Sequence, residues 1–194
     1  MLFRSDDFYN IIPQVENILN RGVFLSDSKC DLCLIADHHH RSIIELWESG
    51  EVMKFVGFPN GLGWTESQYK EYFAKSNKLD SDILLAVEDK NGKFMGQAKI
   101  AFPDSDGYCE HDLKLMPGFQ GKGFGFRIWK MMLDRMNRVW PNATALVTPS
   151  VENEKAIRIY SSMGFEFDGG QMEWIPNRDQ ANAVPVRFRR MIRK

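Results

Sequence analysis

The 194-residue chain is short of cysteine, of net charge and of long apolar runs, and each shortage excludes something. Three cysteines, Cys30, Cys33 and Cys109, cannot all pair. Cys30 and Cys33 have CxxC spacing, but a structural zinc site needs a second pair, and none follows. The surrounding CDLCLIA reads as a strand, which sends residues three apart to opposite faces. The thiols therefore read as reduced, and the expected setting is the cytoplasm. A formal net charge of −1 supplies no basic field for nucleic acid. Only the C-terminal RFRRMIRK is locally basic, and it reads as a solvated strand. No apolar run approaches the roughly 18 residues of a membrane span, and MLFRSDDFYNIIPQ lacks the apolar core of a secretory leader. Neither nucleic acid nor membrane is an expected partner. The adjacent His38, His39 and His40 lack the i, i+4 spacing of HExxH. They read as the polar start of a helix capped by Asp37, and no metal is expected.

What is present is a change of period along the chain. CDLCLIA alternates as a strand, and Ile43, Ile44 and Trp47 recur at helical spacing in DHHHRSIIELWES. The breaker-rich loop GFPNGLGW precedes a second helix that Thr65 can cap, running to about Lys78. DILLAVED and KFMGQAKIAF flank an Asn-Gly turn, and YCEHDLKLM continues the meander. A glycine loop, a helix, the strand ATALVT, the helix NEKAIRIYSSM and strands near FEFDG and VPVRFRRM follow. The order β-α-α-β-β-β-α-β-α-β-β is an α/β (α+β) fold, with a mixed, mostly antiparallel sheet of about seven strands flanked by helices. Residues 1–29, with a helical turn in VENILN and a stop at Gly22, read as an N-terminal extension to a domain spanning 30–194.

The least ordinary stretch is LMPGFQGKGFGFRIWKMML, with four glycines within eight residues and then an amphipathic helix. It is not a P-loop, because Phe124 stands where GxxxxGK[ST] requires Lys. Nor is it GxGxxG, because residue 126 is Phe. What remains is Gln120-x-x-Gly123-x-Gly125 between a strand that Pro117 ends and a helix. Phe124, Ile128, Met132, Met136 and Val139 mark the buried side of that helix. Glycines there let several N–H groups face one point, and a helix N-terminus favours an anion such as pyrophosphate, with Lys122 adding charge. A turn with no ligand satisfies the same spacing. The second pattern is NEKAIRIYSSMGF, capped by Asn153 and stopped by Gly164, with Ala156 one turn before Tyr160 on one face. Alone, that tyrosine reads as core.

Together the segments resemble the GCN5-related N-acetyltransferase (GNAT) superfamily, with motif A [Q/R]xxGx[G/A] at Gln120–Gly125 and a motif B close to NxxAxxxYxxxGF at Asn153–Phe165. The helix DHHHRSIIELWES with GEVMKFVGFP resembles the branch holding ribosomal-protein N-terminal, aminoglycoside 6'-N- and spermidine acetyltransferases. The resemblance implies acetyl-CoA as co-substrate, no metal, and an amine acceptor attacking the thioester directly. It implies that two strands splay to admit the pantetheine arm, with Leu115 contacting it. By the same likeness Gln120, Gly121, Lys122, Gly123, Phe124, Gly125 and Phe126 hold pyrophosphate, and Asn153, Ala156 and Tyr160 lie along the cofactor. Tyr160 fits the general acid for the leaving thiolate. Asp112 is the first choice of base, with Glu110 on the same strand face, and solvation of an exposed face is the alternative. Glu66, Glu71, Glu110 and Asp112 are candidates for holding a polycationic acceptor, and the loop carrying Trp64 is expected to form an acceptor wall or to pack in the core. Two other readings stay open: a catalytically silent CoA-binding or sensor module, and a binder of phosphate ligands. Oligomeric state is also open, a homodimer included.

Overall fold

The computed structural model describes residues 22–76, 81–176 and 182–194. The turn expected in VENILN and the helix end expected near Lys78 lie outside the described residues. A hairpin of β1 (Val23–Ser26) and β2 (Cys30–Leu34) leads to α1 (Asp37–Trp47), the short α2 (Gly50–Met53) and α3 (Glu66–Ser76). The meander is β3 (Asp82–Asp89), β4 (Phe94–Ala101), β5 (Tyr108–Glu110) and β6 (Asp112–Leu115). Then come α4 (Phe124–Val139), β7 (Thr144–Val147), α5 (Glu154–Ser162), β8 (Glu166–Trp174) and β9 (Val186–Arg193).

The architecture is the expected mixed α/β one, with the sheet divided in two. One sheet runs β1-β2-β3-β4-β6, antiparallel throughout; the other runs β5-β7-β9-β8, with β5 and β7 parallel. Nine strands form among the described residues, against the expected seven or so. One addition is β1, an edge strand lying before residue 30. The other comes from His111, which breaks the stretch read as one strand. His111 N–H donates to the Leu146 carbonyl at 3.3 Å, whereas Met116 N–H donates to the Met95 carbonyl at 2.9 Å. The first half of the stretch therefore pairs with β7 and the second half with β4, so β6 and β7 diverge. Gly96 permits the close approach of β4, because a Cβ there would collide with the Lys114 carbonyl.

Helices cover both faces. Ile128, Trp129, Met132, Leu133 and Met136 of α4 pack with Leu32, Leu85, Val87 and Ile100, and Ile157 and Tyr160 of α5 and Met163, its C-cap, join them. On the other face Ile43 of α1 and Tyr69 and Phe73 of α3 pack on Ile35 and Ala86. The buried stripe of α4 also takes Arg135, whose guanidinium lies 5.8 Å from the Phe24 ring, while Phe124 and Val139 are only half-buried near its ends.

Two local readings are corrected. The N-cap of α1 is Ala36, not Asp37. Ala36 N–H donates to His39 Nδ1 at 3.0 Å, which moves Asp37 into the first turn, where its charge still suits the dipole. The histidines are not simply a polar helix start, since His39 is buried and His40 stacks on Phe73 at 3.8 Å. The thiols do diverge: Cys30 lies in the α4-side core, and Cys33 donates to Glu88 Oε2 at 3.6 Å. All three cysteines are free.

Candidate active site

The glycine loop joins the end of β6 to α4 through a 3₁₀ turn, Pro117–Phe119. Gln120 Nε2 donates to the Leu115 carbonyl at 2.9 Å, which ties the loop back to the strand. Gly121 (φ 72°) and Gly123 (φ 81°, the N-cap of α4) are left-handed, a conformation costly for any residue with a Cβ. A Cβ on either would meet nothing within 4 Å, so open space lies beside them where α4 begins. That cradle fits a pyrophosphate facing the unsatisfied N–H groups of the first helical turn. Lys122 and Phe126 are exposed; Phe124 packs edge-on against Phe119 at 6.1 Å. A Cβ on Gly125 would meet Ile159 at 3.5 Å, an ordinary contact, so α5 lies close beside α4 at this point.

The first turn of α4 is held from the β1–β2 turn. Arg127 Nη1 donates to Asp27 Oδ2 at 2.6 Å, and Asp27 Oδ1 accepts the N–H groups of Lys29 and Cys30 at 2.7 and 3.0 Å. Burial pushes the Asp27 carboxyl upward, but these bonds outweigh it and hold the pKa at about 2.

Backbone alternation gives the gap between β6 and β7 its chemistry. N–H groups of His111, Leu113 and Leu115 point away from β4, since those of alternate residues up to Met116 point toward it. That of His111 reaches β7, and that of Leu113 donates to Asp112 Oδ1 at 2.9 Å. That of Leu115 faces the gap. A strand edge of this kind fits an inserted amide-bearing chain such as pantetheine.

Tyr160 of α5 is half-buried beside the same strand. Burial pushes its phenol above the ordinary range, and the negative charge of Asp112 adds to this; the ring packs edge-on against Trp129 at 5.1 Å. The phenol is therefore protonated at neutral pH. Asp112 forms an ion pair with Lys114. Burial alone would raise its pKa, but Lys114, Lys99 and the Leu113 N–H keep it below the ordinary value, so it is an anion. Glu110 lies further back on β5 and accepts from Thr148 Oγ1 at 2.7 Å. His111 points to the opposite side. Its Nδ1 accepts the Ala101 N–H at 3.2 Å, and burial, with the Lys99 charge, drops its pKa to about 4. On α5, Asn153 Oδ1 accepts the Ala156 N–H at 3.2 Å, and Ala156 is half-buried one turn before Tyr160.

The α1–α3 face carries residues that the sequence reading did not single out. Gln97, buried on β4, accepts Trp47 Nε1–H at 2.8 Å and donates to Tyr72 Oη at 3.0 Å. Burial chiefly pushes the Tyr72 phenol up to about 12; the Gln97 bond opposes this, while the charges of Asp82 and Asp112 add to it. The Asp112 charge thus acts on both Tyr72 and Tyr160. Trp64 packs on Trp47 at 5.6 Å and Tyr72 at 6.2 Å, so the loop expected at the acceptor side joins this aromatic cluster. Glu48 holds the loop by accepting the Gly63 N–H at 3.1 Å and the Tyr69 hydroxyl. No spacing rule pairs Gln97 with Trp47 or Tyr72, which lie 50 and 25 residues away. Of the carboxylates considered for a polycation, Glu66 pairs with Lys70 on the exposed side of α3, Glu110 accepts from Thr148 and Asp112 pairs with Lys114.

One metal-like cluster exists among the described residues, His38, His39 and Glu88. The donor set does not suit a cation. Because His39 Nδ1 accepts an N–H, its proton sits on Nε2 and is donated to Glu88 Oε1 at 3.0 Å.

The acetyltransferase (GNAT) domain family matches residues 32–166, more than half of the chain. The chain belongs to this family. It is an N-acetyltransferase, with acetyl-CoA as co-substrate, and the glycine cradle and open strand edge have the donors that molecule requires. The enzyme is 26% identical over 151 residues to spermidine N(1)-acetyltransferase of Escherichia coli (strain K12), covering 74% of this chain and 77% of that one. Its fold is similar to that of Vibrio cholerae spermidine N-acetyltransferase, solved with CoA and spermine (TM-score 0.72, 20% identity, 86% of this chain and 96% of that one). It is also similar to the microcin C7 self-immunity acetyltransferase MccE, solved with acetyl-CoA and AMP (TM-score 0.69, 15% identity, 86% and 93%). Among the described residues no helix is long and apolar enough to cross a membrane.

Proposed function

We propose that this acetyltransferase moves the acetyl group of acetyl-CoA directly onto a small primary amine, with Tyr160 as general acid and Asp112 as the anion that receives the amine. The observation carrying this reading is the placement of Asp112 at the divergence of β6 from β7, where its charge acts on two phenols from opposite faces of the sheet. The loop from Gln120 to Phe126 holds the pyrophosphate, with Lys122 contributing a salt-sensitive charge. Leu115 offers its N–H to the carbonyl oxygen on which charge develops. The amine nitrogen attacks the thioester carbon, the C–S bond breaks, and the Tyr160 proton passes to sulfur. The proton lost by nitrogen goes to Asp112 or to water beside it. Glu110, engaged by Thr148, stands behind as a second acceptor of that proton. Asn153 orders α5 through its cap, and Ala156 leaves room for the thioester arm to reach Tyr160.

On the acceptor side the half-buried rings of Trp47, Trp64 and Tyr72 favour an amine carried on a body with an apolar face. Glu66, Glu110 and Asp112 each already engage a partner, which leaves less free negative charge for a polycation. The test is thiol release from acetyl-CoA with spermidine, an aminoglycoside, and a short peptide bearing a free N-terminus. Turnover with the peptide exceeding that with spermidine supports the acceptor reading, and preference for spermidine or the aminoglycoside overturns it. Silence across the panel, with CoA still raising the melting temperature, would make the chain a CoA-binding module instead.

A further inference from the structure

The carboxylate assigned to the acceptor amine is already held by an amine of this chain. Strand register sets Lys99 opposite Asp112 and Gln97 opposite Lys114, so all four side chains leave the sheet on one face. That face is the α1–α3 side, because Gln97 bonds Trp47 and Tyr72 there. Asp112 has two oxygens to offer. Its Oδ1 accepts the Leu113 N–H at 2.9 Å, and its Oδ2 accepts from Lys114 Nζ. Lys99, directly across the ladder, forms no ion pair with Asp112 among the described residues. An ammonium arriving at Oδ2 therefore meets one already in place. The Asp112 side chain is 45% exposed and that of Lys114 18%, so solvent reaches the carboxylate while the lysine lies folded onto it. Lys114 also precedes Leu115, whose N–H faces the gap that fits the thioester arm. A lysine side chain is a primary amine, the class of acceptor that the reaction takes, and here it is tethered where that acceptor belongs.

We propose that Lys114 is an internal acceptor, taking the acetyl group on Nζ when no external amine occupies Asp112. The proposal rests on Asp112 receiving the amine and on Tyr160 acting as acid. The Lys114 ammonium gives one proton to Asp112 or to water beside it, and the freed nitrogen attacks the thioester carbon. The N–C bond forms, and the C–S bond breaks with its electron pair going to sulfur. The Tyr160 proton passes to that sulfur, and the second proton lost by nitrogen returns to the phenol oxygen through solvent. The amide so formed is uncharged, which releases Oδ2 to an external amine.

The test is peptide mapping by mass spectrometry of the full chain incubated with acetyl-CoA and no acceptor. Chemical acetylation follows exposure, so it would label the exposed Lys29 ahead of Lys114. Internal transfer reverses that order. Lys114 should gain an acetyl group at least about 10-fold faster than Lys29, since a tethered nucleophile has a high effective concentration. CoA in excess should slow the labelling of Lys114 and leave that of Lys29 unchanged. Asp112→Asn should slow Lys114 labelling about 10-fold or more, because the group that places Nζ and takes its proton is gone. Lys114→Arg, which keeps a cation beside Asp112, should remove the label without making Lys99 react faster than Lys29. Labelling of Lys114 no faster than that of Lys29, or a rate indifferent to CoA or to Asp112→Asn, overturns the proposal. If Asp112→Asn or Tyr160→Phe leaves turnover of a short peptide with a free N-terminus intact, the reading of that residue has failed. Loss of that turnover with Lys114 unlabelled in the wild type is instead failure of the Lys114 link alone.

Discussion

The two faces of the divided sheet are both rich in aromatic side chains, but they are organised over different distances. On the α4–α5 side, a run of consecutive residues, Leu115 to Arg127, builds the cradle with two left-handed glycines, a helix N-terminus and the tether of Gln120 to Leu115, and Asp27 adds one distant contact to Arg127. On the α1–α3 side, Trp47, Tyr72 and Gln97 come from three elements and meet through side-chain hydrogen bonds and the packing of Trp47 on Tyr72 at 4.5 Å. The first face is suited to a cofactor whose chemistry is fixed. The second can change with a few side chains, which suits a variable acceptor. Asp112 connects them, since its charge acts on a phenol from each side.

The sharpest way to test this division is Tyr160→Phe. It should lower kcat by about 100-fold or more, the range of general acid catalysis, and leave CoA affinity near its wild-type value. Calorimetric titration of CoA alongside turnover checks both halves of the expectation. Gly123→Ala comes next. The left-handed backbone costs roughly 1–2 kcal/mol with a Cβ present, so KM for acetyl-CoA should rise about 10-fold while the order of preference among acceptors stays the same. A changed acceptor order would show that the faces are coupled.

Gln97→Leu probes the other side. It strands the Trp47 indole N–H and removes the donor to Tyr72, which costs about 1–3 kcal/mol and lowers the melting temperature by a few degrees. KM for the acceptor should rise severalfold and that for acetyl-CoA should not move. The smallest effect concerns Asp27. Its folded pKa, about 2, lies below the ordinary 3.8, so the folded state binds fewer protons there than the unfolded one. The stability it contributes is therefore fully present above about pH 4 and is lost as pH falls toward 2. Asp27→Asn should flatten the acid limb of melting temperature against pH over that window. An unaltered limb would sever the β1–β2 turn from the cradle.

How much was legible depended on distance along the chain. Gln120 through Gly125 and Asn153 through Phe165 could be read directly, because caps, left-handed glycines and helix faces are properties of neighbouring residues. His111 read as one more residue of an alternating strand. Its role as the break between sheets follows from the different partners of β5 and β6, which no local pattern encodes. The histidine run misled for the same reason: His39 turns inward because Glu88, 49 residues away, accepts its proton. The short α2 went unnoticed because four residues are too few to show a period.

The sequence by itself determined the glycine cradle, the capped tyrosine helix and the order of most elements, since each rests on backbone conformational preference and periodicity over a few residues. Only the tertiary structure decided that the sheet divides at His111, that Asp112 pairs with Lys114 within reach of two tyrosines, and that Gln97 joins Trp47 to Tyr72. Those outcomes depend on which strands pair and which buried polar groups find partners. That choice is made by the whole core at once.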